Sequence, residues 1–560
     1  MAMTASRILC CRSQSLRHFE YESGTDIRCF TGTIKSLELL KIRQHDTPMS
    51  TPSFGAMHVP ILLASAYALY TVVGHFRRRH STPLQGPSSN NFVLGEWATR
   101  YGSVFAIPSI FGSKNIVLTD PKAIAHFYSK DTYGYIQAPH FKRFFGRFIG
   151  RGLFWAEGDS HPRQRRTLNP AFTNAAIRDL TPIFFDSAYK AKVAWDAILE
   201  LEAGSSEGEI IEVQQRMNRI SLDTIGLAGF SHDFCTLSGQ TSKIADAFDS
   251  LDSKPSFLDA IAFLLSTISP IFDHIPTGRR EMVNQLRWER LEINSLRNWR
   301  FERGEIRNGT FEYVNAVTHH AKPVFTTKIA GTDTMSQEEV KSQINVLLLP
   351  GYETTASKLS IRQPWALIEL SRNPDIQTQL RAELFKAGDP TWDELTSHTS
   401  FLDAFTCEIL RLHPPLPDTQ RTATQDDIIP LSAPVETATG RFVDTVAIAK
   451  GTAVTVPINS MNQSVQFWGP DAKILNPSPQ EIQGFRHLLT FSEGARVCLR
   501  KVFAVTEFKA VLSVLVRNFT FELPGGPQTV IGQHRNFLPR PKVVGESGYS
   551  VPLRVRQYVA

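Results

Sequence analysis

The sequence predicts a mainly α-helical protein with small β-sheets, and three observations predict it. Apolar residues recur at helical spacing in separate stretches: Ala191, Ala194, Ile198 and Leu201, then Leu402, Phe405, Ile409 and Leu412, then Val505, Phe508, Leu512 and Leu515. Only short strand-like runs break the pattern, at Val104–Ile107, at Asn115–Leu118 and in the alternation of Phe519, Phe521 and Leu523. The 560 residues are 42% hydrophobic and 20% charged, which is globular composition with material for a large core.

Taken in order, residues 1–53 are polar and mixed in charge, and read as a disordered tail or a gene-model extension. Phe54 to Phe76 is predominantly apolar and ends at Arg77, Arg78 and Arg79. As a helix it would reach roughly 34 Å, enough to span a bilayer, with the basic cluster on the cytosolic side. A transmembrane anchor is therefore expected at 54–76, and Met57 would be its cleaner start. A basic, Pro-rich hinge follows at 77–90, containing PLQGP, and a single functional body is expected from 91 to 560. Asp120-Pro121 closes the second strand, the AGSSEGE run at 203–209 reads as a loop, and Ser336 with Glu339 forms a capping-box signature. Another helix should end at His413-Pro414-Pro415.

Composition also excludes classes. A net charge of +6 is mild for this length and gives no nucleic-acid footprint. The six cysteines contain no CxxC pair, so neither a zinc site nor a disulfide framework is indicated. The 37 phenylalanines permit a large apolar cavity.

Four constellations carry chemistry. The stretch FSEGARVCLRKVFA, Phe491 to Ala504, sets Cys498 in a loop behind Gly494 and Arg496. By itself that cysteine could bind a metal, attack a substrate or pack in a core. Glu353 and Thr354 follow Pro350-Gly351 in an apolar helix. Pro350 cannot donate to the carbonyl of Val346, so the helix opens, and an acid beside a hydroxyl could relay protons there; a polar kink is the equal alternative. Glu408 and Arg411 lie three apart on one helix face among apolar neighbours, as a structural ion pair would. His161 and Arg165 lie four apart in a basic run, where arginine forks suit carboxylates or phosphates; a solvated helix face is the bland reading.

In this order and spacing, HxxxR, GYETT, EILRLHPP and FxxGxRxC resemble the cytochrome P-450 superfamily of haem-thiolate monooxygenases, from about Pro83 to the C-terminus. Runs such as WALIELSRNPDIQ and HLLTFSEGARVC look like its membrane-bound fungal members. The resemblance implies the cytochrome P-450 fold and haem b, with Cys498 as the axial ligand of its iron. It implies that His161, Arg165, Arg421 and Arg496 contact the haem propionates, and that Phe491 and Gly494 shape the ligand loop. Glu353 and Thr354 match the acid–alcohol pair that delivers protons to dioxygen, and Glu408 with Arg411 the structural pair behind the haem. It further implies NADPH as electron source through an NADPH-cytochrome reductase docking near Lys501, cytochrome b5 as a second donor, and residence in the endoplasmic reticulum membrane as a single-pass protein with a cytosolic catalytic domain. A hydrophobic small molecule of fungal secondary metabolism, for example a terpenoid, is the substrate expected from fungal members.

Four departures from the family pattern stand out. Arg500 replaces the glycine two residues after the cysteine, and Pro350 replaces a small residue before Gly351. ASKLSIRQP lengthens the stretch between Thr355 and Trp365, and NPSPQEIQGFRHLLTF carries Ser478-Pro479 where an arginine normally completes a triad with Glu408 and Arg411. They leave three alternatives: a degenerate or mis-spliced non-catalytic paralogue, a reductase-independent haem-thiolate isomerase, and a cysteine hydrolase using Cys498 with His487 or His413. The intact Glu353-Thr354 argues against the isomerase, and the hydrolase explains none of the other motifs.

Overall fold

The computed structural model describes residues 84–86, 94–109, 113–201, 208–230, 232–240, 256–268, 272, 274–278, 335–336, 338–339, 342–343, 346–347, 362–397, 400–477, 488–535, 539–546 and 550–559. The anchor span 54–76, most of the hinge and the Glu353-Thr354 pair lie outside the described residues. Among the described residues no helix is long and apolar enough to cross a membrane.

The helices that position the site are α1 (Pro121–Ser129), α2 (Ser160–Leu168), α3 (Asn174–Leu201), α4 (Val213–Phe230), α5 (Arg362–Arg372), α6 (Pro374–Ala387), α7 (Phe401–Leu412) and α8 (Lys501–Asn518). The last of these is the central rod. Every residue from Phe503 to Val516 is buried, so it is covered on all sides, as a helix apolar all round must be. Its two buried charges need partners, and Lys509 donates to the carbonyl of Leu395 at 2.6 Å while pairing with Asp403 of α7. Phe503 meets Phe184 of α3 edge-on at 4.8 Å between ring centres.

Among the described residues the strands are short and fall into four groups. One sheet runs β1 (Val104–Pro108), β2 (Lys114–Leu118), β8 (Ala453–Val456), β5 (Thr419–Ala423) and β3 (Tyr135–Ile136), with β2 and β8 parallel and the other pairs antiparallel. Smaller groupings pair β6 (Asp427–Glu436) with β7 (Phe442–Ile448), β10 (Ile531–Arg535) with β11 (Pro539–Val543), and β12 (Pro552–Gln557) with β4 (Glu209–Glu212) and β9 (Phe519–Glu522).

Local signals act where the sequence puts them. Asp120 caps α1 by accepting from the N–H groups of Lys122 and Ala123, with Pro121 at the first helical position. Ser336 and Glu339 exchange both bonds of a capping box, at 2.8 and 3.2 Å. The helix over Leu402–Leu412 ends at His413, and Glu209, the end of the expected 203–209 loop, opens β4.

Candidate functional site

The Cys498 loop is held from three directions. From within, the N–H of Cys498 donates to the carbonyl of Phe491 at 2.9 Å, which closes the loop on itself. From α2, Arg165 donates to the carbonyl of Val497 at 2.7 Å. From α1, the backbone of Tyr128 presses against Gly494: a Cβ there would lie 2.4 Å from the Tyr128 carbonyl oxygen, and φ is +72°. Only glycine meets both conditions without strain. Half-buried Cys498 packs against a small apolar cluster of Leu410, Leu488, Phe491 and Val505.

A ring of basic side chains converges beside this loop. Helix α2 supplies His161 and Arg165, β5 supplies Arg421 opposite Val454 of β8, and the loop supplies Arg496. Arg496 donates to the carbonyls of Asp131 and Ala156 at 3.2 and 3.1 Å. Arg421 donates to the carbonyl of Gln420 at 2.9 Å. Two nitrogens of the ring, the Nδ1 of His161 and the Nε of Arg421, are nevertheless buried with no hydrogen-bond partner among the described residues, as is the acceptor Oδ1 of neighbouring Asp131.

The electrostatics agree. Burial pushes the His161 imidazole down to about 4, and the positive charges of Arg496, Arg165 and Arg421 push the same way. Burial lowers Arg421 as well, with Arg496 adding to it. Asp131, which no motif pointed to, is driven by burial up to about 6, against the pull of Arg496, Arg421 and Arg165. Concentrated positive charge with idle buried donors suits a ligand bearing carboxylates.

Behind the loop, Glu408 and Arg411 form a two-fold ion pair at 2.7 and 2.8 Å, 5% and 3% exposed. Arg411 also donates to the carbonyls of Asn462 at 3.0 Å, Ile474 at 3.2 Å and Ala472. The expected gap left by the absent arginine is partly filled by backbone, since the N–H of Asn476 donates to Glu408 at 3.2 Å. Thr490 joins this pair to the loop, its hydroxyl donating to the carbonyl of Leu410 at 2.8 Å.

Arg500 turns inward. It is buried, donates from Nη1 to the carbonyl of Leu347 at 3.1 Å, and lies 4.7 Å from the ring centre of Phe503. Burial lowers it to about 10, offset by Glu507 and Cys498. Burial likewise raises Glu507 well above the carboxylate range, and Arg500 draws it back. The Nε and Nη2 of Arg500 are buried with no hydrogen-bond partner among the described residues, so burial of the arginine that breaks the family pattern is only partly compensated.

Comparison with known proteins gives one answer. The family model described as Cytochrome P450 matches residues 81–543. Two proteins of Ampulloclitocybe clavipes, the cytochrome P450 monooxygenases claW and claP, are 46% and 47% identical, over 89% and 91% of this chain and 97% and 99% of their own. Cytochrome P450 monooxygenase 205 of Postia placenta is 30% identical over 84% of this chain and 89% of its own. The chain belongs to the cytochrome P450 family and is an oxidoreductase of its monooxygenase kind.

Proposed function

We propose that this monooxygenase holds haem b through Cys498 and inserts one oxygen atom from dioxygen into a hydrophobic small molecule of fungal secondary metabolism, with terpenoids the first class to test. The observation that carries the cofactor reading is the ring of His161, Arg165, Arg421 and Arg496 beside the Cys498 loop, with buried polar atoms that lack partners among the described residues. Propionates would accept from the His161 and Arg421 nitrogens, and the donor set fits them. The fungal relatives support the metabolic setting.

Haem with a thiolate ligand supplies activation of dioxygen and favours O–O cleavage when bound. The chain's own residues do the rest. Arg165 fixes the loop through the Val497 carbonyl, and Phe491 and Leu410 give the half-buried Cys498 an apolar flank. Glu353 and Thr354 are assigned to hold and move protons. Electrons are assigned to NADPH through a reductase at the Lys501 face, with cytochrome b5 as an auxiliary donor. Residues 54–76 are assigned as the anchor in the endoplasmic reticulum membrane, with the catalytic body in the cytosol.

The test is the spectrum of microsomes after reduction and addition of carbon monoxide. A thiolate-type Soret band is expected. No haem band, or a histidine-type band, overturns the ligand assignment. With haem in place, Thr354→Ala should raise NADPH consumed per product; unchanged coupling removes Thr354 from the proton path.

A further inference from the structure

Buried polar groups gather on one face of α8, just past the Cys498 loop. Arg500 is the N-cap of that helix and Glu507 follows it by two turns, which puts both on the same face. Between them on that face stands Ala504, buried and carrying only a methyl group, so the space over it is not filled from α8 itself. Helix α4 supplies the opposite wall. Its Thr224 stands beside the Glu507 carboxyl, and Ser221 comes one turn earlier on the same side of α4. Arg500, Glu507, Ser221 and Thr224 are all buried.

Their hydrogen bonds do not close directly. Arg500 spends Nη1 on the Leu347 carbonyl, and Thr224 spends its proton on the carbonyl of Ile220 at 2.7 Å. The Nε and Nη2 of Arg500, both carboxyl oxygens of Glu507 and the Ser221 hydroxyl have no hydrogen-bond partner among the described residues. Buried polar atoms are rarely left so, and a buried cation and a buried acid that each go unanswered cost more than neutral groups. Each nevertheless feels the other: the carboxylate holds the guanidinium charged, and the guanidinium favours the ionised acid. Two turns of helix separate their backbones by roughly 10 Å, a span that side chains cover with a small molecule between them. Water both donates and accepts, and so meets idle donors at one end and idle acceptors at the other.

We propose that Arg500 and Glu507 form a water-bridged ion pair, in a hydrated chamber over Ala504 that Ser221 and Thr224 close from α4. Glu507 is then the counter-ion of Arg500, and the pair brings no net charge to the interior beside the Cys498 loop. This is how the chain carries an arginine where the family pattern has glycine. The inference goes beyond the haem-thiolate reading and does not depend on it.

The test is a cycle on the full chain of wild type, R500M, E507L and R500M/E507L, read by melting temperature in detergent at pH 7. Each single change strands one buried group and should lower the melting temperature by about 3–5 °C, whereas the double change removes both and should fall by less than the worse single. Singles without loss, or a double variant that falls as far as the worse single or further, overturn the pairing. Should R500M or E507L not fold, R500Q, E507Q and their double carry the same comparison. A crystal structure of the wild type grown in sodium bromide reads the bridge. Water density joining Arg500 to Glu507, without anomalous signal, is expected. A direct contact with no water between them, or a bromide peak at Arg500, overturns the bridge. Neither readout requires bound haem, so a chain without a thiolate-type spectrum would sink the haem-thiolate reading and leave this test intact.

Discussion

Arg165 donates to the carbonyl of Val497 at 2.7 Å, so the residue preceding Cys498 is fixed by a helix more than three hundred positions earlier in the chain. The same side chain belongs to the basic ring, which makes it both a tether of the Cys498 loop and a candidate partner for a propionate. Arg165→Ala removes a charged donor from a carbonyl, a loss of about 1.5–3 kcal/mol. The thiolate-type share of the reduced carbon monoxide band should fall, and Arg165→Lys should restore part of it. An alanine variant with an unchanged band would detach Arg165 from the loop.

His161 sets a pH dependence. Its folded value is depressed from 6.5 to about 4, so the unfolded chain binds its proton more readily over that window. Without haem, stability is therefore lost as pH falls from 6.5 towards 4, by up to about 3 kcal/mol from this group. Denaturation of the haem-free protein across that range should show the slope, and His161→Gln should flatten it. Propionates beside the ring would favour its charged form, so the slope should shrink in the haem-loaded protein.

Asp131 works in the opposite sense. Its folded value is raised from 3.8 to about 6, so the folded chain holds the proton longer and stability falls as pH rises through that interval. Asp131→Asn should raise the melting temperature of the haem-free protein at pH 7 and leave it nearly unchanged at pH 4. A drop at pH 7 would show that the carboxylate is needed by Arg496 more than burial penalises it.

Glu408 and Arg411 are the clearest case of a pair that cannot lose one member. Glu408→Ala leaves a guanidinium 3% exposed with only carbonyls and the Trp468 ring around it, at a cost of about 3–5 kcal/mol. Expression should yield little haem-loaded protein, and Glu408→Gln should recover some of it. Yields close to wild type for Glu408→Ala would mean that the Asn462, Ala472 and Ile474 carbonyls suffice.

Much of this was legible in the sequence, and the rest was hidden for physical reasons. Helical periodicity found α7 and α8, short strand-like runs found β1 and β2, and alternation found β9, because each is a local pattern. The motifs placed His161, Arg165, Arg421, Arg496 and Cys498 in one neighbourhood. Asp131 escaped because its tie to Arg496 joins positions 365 apart and has no local signature. The destination of Arg500 escaped likewise, since sequence shows a bulky cation but not the Leu347 carbonyl that receives it. The partner of Glu408 that substitutes for the absent arginine is a backbone N–H, at Asn476, which any residue except proline could supply.

Gly494 allows a comparison that separates two costs usually mixed. Its φ of +72° alone would cost an alanine roughly 1–2 kcal/mol. The clash adds to this, because the new Cβ would sit 2.4 Å from the Tyr128 carbonyl oxygen, a backbone atom that moves only with α1. Gly526 is the control: its φ is +81°, and a Cβ there meets nothing within 4 Å. Gly526→Ala should therefore lower the melting temperature by the conformational cost alone and keep the haem content. Gly494→Ala should lower both, since relief of the clash displaces either α1 or the loop that carries Cys498. Equal melting shifts in the two variants, with haem content intact, would mean that the loop absorbs the contact and that Tyr128 does not set its position.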